Sequence, residues 1–385
     1  MKFRFTVTTS QGLEDVLAQE LRKLGLQRVA PERGAVRFFG KLKDGYKAAL
    51  WCRIGSRVLL TLKRFEGLDE DDLYTGIQEI DWLEHIAPEG SLWVDFVGGS
   101  KHLRHSQFGA RRTKDAIVDQ IRDKTNKRPS VEKHNPDLRI NVHLRDGLFS
   151  VAIDLSGKAL HWRTPGKEST EATIKETLAA ALLHLADWPA QHKKGIPLVD
   201  PMCGSGTILS EAAGIARSVA PGLHRSHWGF DNWKGHDIAT WNRLKQEAYD
   251  LKNANKDTPL HILGFDASRH AVRSAQANLN GLGFRDLPVK QQPFGQFTPT
   301  QNEGILLFNP PYGERLEAEE NLNPLYRSIG DRLKETCDGW TCYILAPRPL
   351  LRNVGLKPFT EHPVHNGPLH CRLSGYRVYA KREHP

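Results

Sequence analysis

Residues 197–207 read Pro197-Leu198-Val199-Asp200-Pro201-Met202-Cys203-Gly204-Ser205-Gly206-Thr207. A short apolar run ends in a carboxylate, a turn with two glycines follows, and apolar positions at helical spacing continue from 207 to 217. Strand, glycine turn and helix open a parallel α/β unit, whose ligands bind outside the carboxyl ends of the strands. Gly204 and Gly206 permit a tight turn and close backbone approach, so the helix N-terminus can face a carboxylate or a ribose. A dinucleotide fingerprint would need glycine at position 209, which is Leu209, and an acidic residue about 20 positions on, which is missing. A Walker loop is excluded because Gly-Lys-Ser/Thr is absent.

The pattern repeats downstream. An apolar helix over 174–186 leads in, and strands over 261–265, 304–308 and 340–345 alternate with helices over 269–280 and 324–336. A closing strand pair ends at 376–380. This predicts a doubly wound sheet over 156–385. Its second strand ends in Gly264-Phe265-Asp266-Ala267-Ser268, placing a carboxylate where it can accept both hydroxyl hydrogens of a ribose. Asp200, ending the first strand, reads as a neighbour of the same ligand or as a cap of its own turn.

After the third of these strands comes Asn309-Pro310-Pro311-Tyr312-Gly313-Glu314-Arg315. An amine attached to a flat ring is a poor nucleophile, because its lone pair is delocalised. The Asn309 side-chain oxygen and the Pro310 carbonyl can accept both amine hydrogens and aim the lone pair at an electrophile. Pro311 stiffens the turn, and Tyr312 offers a ring on which a flipped-out base stacks. Glu314 and Arg315 read either as contacts to a base edge or as a structural ion pair. The motif leaves adenine, cytosine and guanine open, and an ordinary Pro-rich turn is the plain alternative.

Composition narrows the class. No apolar stretch approaches the roughly 18 to 20 residues of a membrane span. The N-terminus alternates like a strand and lacks the apolar region of a signal peptide, so the cytoplasm is the default location. The five cysteines form no metal-type pair and read as reduced thiols; no metal is expected. The formal charge of +9 suits a polyanionic partner. Between 101 and 145 twelve lysines and arginines face five carboxylates, which reads as a nucleic-acid footprint or as a solvated, charge-rich surface.

The first 60 residues predict short strands and helices in a ferredoxin-like order, with strands at 3–8, 35–39 and 57–62 and helices at 13–24 and 46–51. A second unit follows: helix 73–80, strand 91–96, a basic loop, helix 113–122, and strands 138–144 and 148–154 around an Asp146-Gly147 turn. This order resembles a THUMP domain, an RNA-binding module, over about 43–155. The segment 221–252, rich in tryptophan and histidine, reads as an insertion that either packs or flanks RNA.

Asn-Pro-Pro-Tyr at 309–312 resembles the signature of class I S-adenosylmethionine-dependent amino-methyltransferases. Asp-Ala-Ile-Val-Asp at 115–119, Ile-Lys-Glu-Thr-Leu-Ala-Ala at 174–180, Pro-Gly-Leu-His-Arg at 221–225 and Asn-Gly-Pro-Leu at 366–369 extend the likeness. Nearly the whole chain resembles the bacterial large-subunit rRNA guanine-N2 methyltransferase family, RlmL. The resemblance implies a class I, Rossmann-like methyltransferase sheet over 156–385, preceded by an α+β ferredoxin-like and THUMP RNA-binding region over 1–155. It implies S-adenosylmethionine as cofactor and methylation of guanine N2 in 23S rRNA or its assembly precursor. Asn309, Pro310 and Tyr312 are then catalytic, and Asp200, Cys203, Gly204, Gly206, Thr207, Asp266, Ala267 and Asn309 bind the cofactor. Lys101, Arg104, Arg111, Arg112 and Lys114 are the expected RNA contacts.

Two departures qualify the expectation. Family members often carry a second methyltransferase domain, and with the sequence ending at Pro385 one activity is expected. An Asp that touches the adenine amine in many class I enzymes is replaced here by Gln291-Gln292-Pro293-Phe294, leaving Phe294 to stack or Gln292 to hydrogen-bond. Lys175 and Glu176 read as a segment closing over the methionine end or as a solvated helix face.

Overall fold

The computed structural model describes residues 2–164, 166–167, 174–312 and 322–379. The chain folds as two compact units. One comprises Met1–Thr9, Ala18–Leu160 and Arg225–Gln246; the other comprises Ser10–Leu17, His161–His224 and Glu247–Pro385.

In the first unit the strands are β1 (Phe3–Thr8), β2 (Gln27–Glu32), β3 (Ala35–Gly40), β4 (Arg57–Glu66), β5 (Ser91–Gly98), β6 (Ser130–Val131), β7 (Leu138–Arg145) and β8 (Leu148–Asp154). Among the described residues they form one eight-stranded sheet in the order β2-β3-β1-β4-β8-β7-β5-β6. The β4–β8 pairing joins the ferredoxin-like and THUMP-like parts into one sheet. Side chains alternate between its faces. Phe5, Val7, Ile140, Val142, Phe149 and Val151 are buried on one side, while Arg4, Thr6, His143 and Ser150 stand on the other. Helices cover the apolar side: a Cβ on Gly45 of helix Leu42–Trp51 would sit 2.3 Å from the Phe5 ring, and one on Gly109 of helix Ser106–Thr125 would sit 2.8 Å from Phe96. Only glycine allows that approach.

The Trp-rich stretch packs within this unit. Phe230, Trp228 and Trp241 are buried, and Phe230 and Trp241 lie against the Tyr46 ring. The Tyr46 hydroxyl lies 2.7 Å from His236 Nδ1 and accepts the Asp237 N–H at 2.9 Å. Burial pushes that phenol up to about 12. Arg225 donates to the carbonyls of Ser156, Lys158 and Ala159. The Trp228, Phe230 and Trp241 rings therefore serve packing, while Tyr249 and His227 are exposed.

Local differences from the sequence reading have simple causes. The expected basic loop before residue 113 is helical from Ser106; the helix buries residues only from Gly109 onward and Phe108 stays exposed, so no buried face marked its start. The edge strand β2 and helix Ile238–Ala254 were not anticipated.

The second unit contains β9 (Leu198–Asp200), β10 (Ile262–Asp266), β11 (Val289–Gln291), β12 (Ile305–Phe308), β13 (Thr341–Ala346), β14 (Thr360–Asn366) and β15 (Leu369–Arg377). Among the described residues these make a seven-stranded sheet in the order β11-β10-β9-β12-β13-β15-β14. The first five strands are parallel, and β15 and β14 close the sheet antiparallel. Its core includes Val199, Leu306, Phe308, Ile344, Leu333 and Trp340, each large apolar side chain contributing about 1.5–3 kcal/mol by leaving water. All five cysteines are free and buried.

Candidate active site

β9 lies between β10 and β12, with Leu198 opposite Ile262 and Ile305 and Val199 opposite Leu263 and Leu306. Asp200 and Asp266 therefore end adjacent strands, and Asn309 follows the end of the third. The alternation of strands and helices placed all three at the carboxyl edge, where a doubly wound sheet binds ligands.

The turn after β9 is built by hydrogen bonds to β10. Cys203 N–H donates to the Phe265 carbonyl at 2.8 Å, and Gly204 N–H donates to Asp266 Oδ2 at 2.9 Å. Asp266 Oδ1 accepts from Ser268 N–H at 2.9 Å, so both carboxylate oxygens are oriented by backbone while retaining further lone pairs. Gly204 and Gly206 adopt φ of 53° and 78°. Gly206 caps helix Thr207–Ala216 without a side chain, and a Cβ there would lie 3.1 Å from Ala275 Cβ. The helix N-terminus is thus open to an anionic or polar group. Thr207 Oγ1, at its first position, is buried and finds no hydrogen-bond partner among the described residues.

Asp200 is 1% exposed, and its Oδ1 accepts from Met202 N–H at 3.2 Å. Burial, reinforced by the nearby Asp266, holds its carboxyl well above the usual carboxylate range. Burial likewise pushes the Cys203 thiol well up. Ala267 is exposed beside Asp266, and its carbonyl accepts from Gln291 Nε2 at 3.1 Å.

Beyond β12, Asn309 is half-buried and Pro310 buried. Tyr326 Oη donates to the Pro311 carbonyl at 3.3 Å, and Asn366 Nδ2 donates to Tyr312 Oη at 3.0 Å. Burial raises the Tyr312 phenol, and its hydroxyl also meets the Cys371 thiol. Sequence reasoning missed Asn366, Cys371 and Tyr326 as supports of this turn. The Asn-Gly pair at 366–367 was the available signal. Glu314 and Arg315 lie outside the described residues.

Phe294 is buried among Phe308 and Phe297, so the core takes the ring that was expected to stack on a ligand. Gln292 Nε2 donates to the Gln296 carbonyl at 3.0 Å. Glu176 is buried and pairs with Lys167 at 2.8 Å, whereas Lys175 is exposed.

In the first unit, Lys101, Arg104 and Arg111 are exposed. Arg112 is engaged by Asp71 at 2.9 Å and lies 4.2 Å from the Tyr74 ring centroid, and Lys114 pairs with Asp115. Lys124, Lys127 and Arg139 likewise pair with Asp81, Glu89 and Asp95, so much of the positive excess of this segment is neutralised locally. Among the described residues no helix is long and apolar enough to cross a membrane, and no cluster of three or more His, Cys, Asp or Glu could hold a metal ion.

Over residues 163–374 the sequence matches the RMKL-like methyltransferase domain, which is more than half of the chain. The chain belongs to the RMKL-like methyltransferase family. Residues 68–154 match the THUMP domain, and residues 4–59 match the RlmL ferredoxin-like domain. The ribosomal RNA large subunit methyltransferase K/L of Ectopseudomonas mendocina (strain ymp) is 40% identical over 99% of this chain and 53% of its own length. That of Methylococcus capsulatus (strain Bath) is 39% identical over 98% and 52%. The chain spans about half the length of the curated relatives it matches. Among solved structures, SMU.472 in complex with SAH is 30% identical with a TM-score of 0.85, over 100% of this chain and 99% of its own. A predicted N6-adenine-specific DNA methylase from Listeria monocytogenes str. 4b F2365 is 29% identical with a TM-score of 0.84, over 98% and 97%. The second unit accordingly has the class I fold that its strand order describes.

Proposed function

We propose that this chain methylates the exocyclic N2 amine of a guanine in large-subunit rRNA, with S-adenosylmethionine as methyl donor, and that it does so in the cytoplasm. The observation that carries the reading is the placement of Asp200, Asp266 and Asn309 at the carboxyl ends of three neighbouring strands, with Tyr312 held by Asn366. The residues present fit the cofactor. Asp266 keeps lone pairs for a ribose diol, the uncapped N-terminus at Gly206 suits a carboxylate, and the buried Thr207 hydroxyl lacks a partner among the described residues. Bound S-adenosylmethionine supplies a sulfonium methyl that needs no further activation.

The chain's own work is then orientation. The Asn309 side-chain oxygen and the Pro310 carbonyl accept the two amine hydrogens, which localises the nitrogen lone pair toward the methyl group. The Tyr312 ring forms a stacking wall for the flipped-out base. The nitrogen becomes acidic once methylated and loses its proton late, so no strong base is required. The first unit, matching the THUMP and RlmL ferredoxin-like domains, serves as the RNA-binding region.

The choice of guanine rests on the family resemblance, since Asn-Pro-Pro-Tyr chemistry suits an adenine amine equally. The test is methylation of total RNA from cells lacking this chain, using isotopically labelled methyl donor, followed by separation of 23S rRNA from tRNA and nucleoside analysis of each. N2-methylguanosine supports the reading. Labelled N6-methyladenosine would replace it with an adenine enzyme, and label confined to tRNA would move the substrate. Cofactor binding without methylation of any RNA would leave a non-catalytic assembly factor.

A further inference from the structure

The uncovered face of the first unit's sheet is a groove of about 1050 Å³. It crosses β1, β4, β8, β7 and β5, five adjacent strands, and so runs roughly 20 Å. That volume is at the upper end of the roughly 300–1,000 Å³ of small-molecule sites, and its length across five strands suits an extended ligand.

The lining sets basic and hydroxyl side chains among apolar ones such as Leu59, Val97 and Leu148. It contains the arginines Arg4, Arg33, Arg57, Arg64 and Arg145. The carboxylates in reach are already engaged: Glu32 by Arg4 at 3.1 Å, Asp95 by Arg139 at 2.7 Å and Asp146 by Arg145 at 3.2 Å. Arg57 is turned onto the buried Asp154. Arg33 and Arg64 are exposed and form no ion pair among the described residues. Thr61 and Ser150 add hydroxyls on the same face. Phe96 is buried among the core residues, and the half-buried His143 imidazole also lines the groove. Five arginines and several hydroxyls beside a single half-buried imidazole favour a phosphate backbone over a row of stacked bases.

We infer that this groove seats the phosphodiester backbone of the RNA substrate, with Arg33 and Arg64 as its free phosphate contacts. The inference rests on the RNA-methyltransferase reading and moves the main footprint from the basic helix Ser106–Thr125 to the open sheet face. Arginine suits the role because its planar guanidinium binds phosphate bidentately.

The test uses the full chain and transcribed 23S rRNA, with binding measured across a salt series. Arg33→Glu with Arg64→Glu should weaken binding at least tenfold and reduce the salt slope by about two. Arg33→Lys with Arg64→Lys should retain the slope, and S-adenosylmethionine affinity should be unchanged in both variants. Arg111→Glu should cost less than the groove pair. Unchanged affinity and slope in the Glu pair, with wild type binding RNA, would overturn the groove while leaving the methyltransferase reading intact. Displacement of the RNA by polyglutamate of equal charge would also overturn it, in favour of an acidic protein partner. Failure of wild type to bind any RNA, with cofactor binding intact, would instead sink the RNA reading itself.

Discussion

Asn366 donates its side-chain amide to the phenolic oxygen of Tyr312 at 3.0 Å, tying the turn after β12 to the β14–β15 hairpin. Tyr326 holds the preceding carbonyl, that of Pro311, at 3.3 Å. The Tyr312 ring, proposed as the stacking wall, is therefore fixed from outside its own loop. Asn366→Ala should lower kcat about tenfold, the equivalent of one hydrogen bond of about 1.4 kcal/mol, while cofactor affinity stays within twofold. Tyr312→Phe should behave similarly, and Tyr312→Ala should lose the stacking itself, about 1–3 kcal/mol. Steady-state kinetics on rRNA read this directly. Full activity in Asn366→Ala beside an inactive Tyr312→Ala would show that the hydroxyl anchor is dispensable.

Asp266 accepts the Gly204 and Ser268 N–H groups and retains lone pairs for the ribose hydroxyls proposed above. Asp266→Ala should weaken S-adenosylmethionine by roughly 10- to 100-fold, matching about 1.5–3 kcal/mol for hydrogen bonds to a charged group. Calorimetric titration of the cofactor measures it. An affinity unchanged from wild type would remove Asp266 from the site.

The parts of this site that lie on strand ends were legible in the sequence. Asp200, Asp266 and Asn309 each follow an apolar run, and a period-two or buried strand beside a helical period fixes which end faces the ligand. What escaped has physical reasons. β2 is an edge strand carrying Pro31 and Arg28 at φ 54°, without an apolar alternation to mark it. Residues 106–108 at the start of helix Ser106–Thr125 are all exposed, so no apolar stripe marked where the helix begins. Asn366 acts across 54 residues of chain, a relationship that no local pattern carries. The charge excess of 101–145 was visible, but its pairing with Asp71, Asp81, Glu89 and Asp95 required the fold.

Gly206 tests the tightness of the cofactor turn. Its φ of 78° disfavours any side chain, and a Cβ would press on Ala275 at 3.1 Å. Gly206→Ala should destabilise the protein by about 1–3 kcal/mol and weaken cofactor binding, because the loop must shift away from helix Arg269–Gly281. Thermal unfolding with and without S-adenosylmethionine reports both effects. An unaltered midpoint together with unaltered cofactor affinity would show that the turn tolerates a Cβ.

Asp200 gives a pH dependence with a definite sign. Burial and Asp266 raise its carboxyl in the folded state above the ordinary value of about 3.9. Between those two values the folded chain retains a proton that the unfolded chain has released, so its contribution to stability falls as pH rises. Below the ordinary value both states are protonated and the penalty vanishes. Asp200→Asn carries no such proton. Its stability relative to wild type, measured by denaturant unfolding without cofactor, should therefore rise with pH from about 4 upward. Glu20 and Asp154 are also raised by burial, and taking the difference between the two proteins cancels their contribution. Removing the Asp266 charge should shrink the effect, because that charge is part of what raises Asp200. A difference that stays constant across pH would show that Asp200 ionises in the folded protein as it does in the unfolded chain.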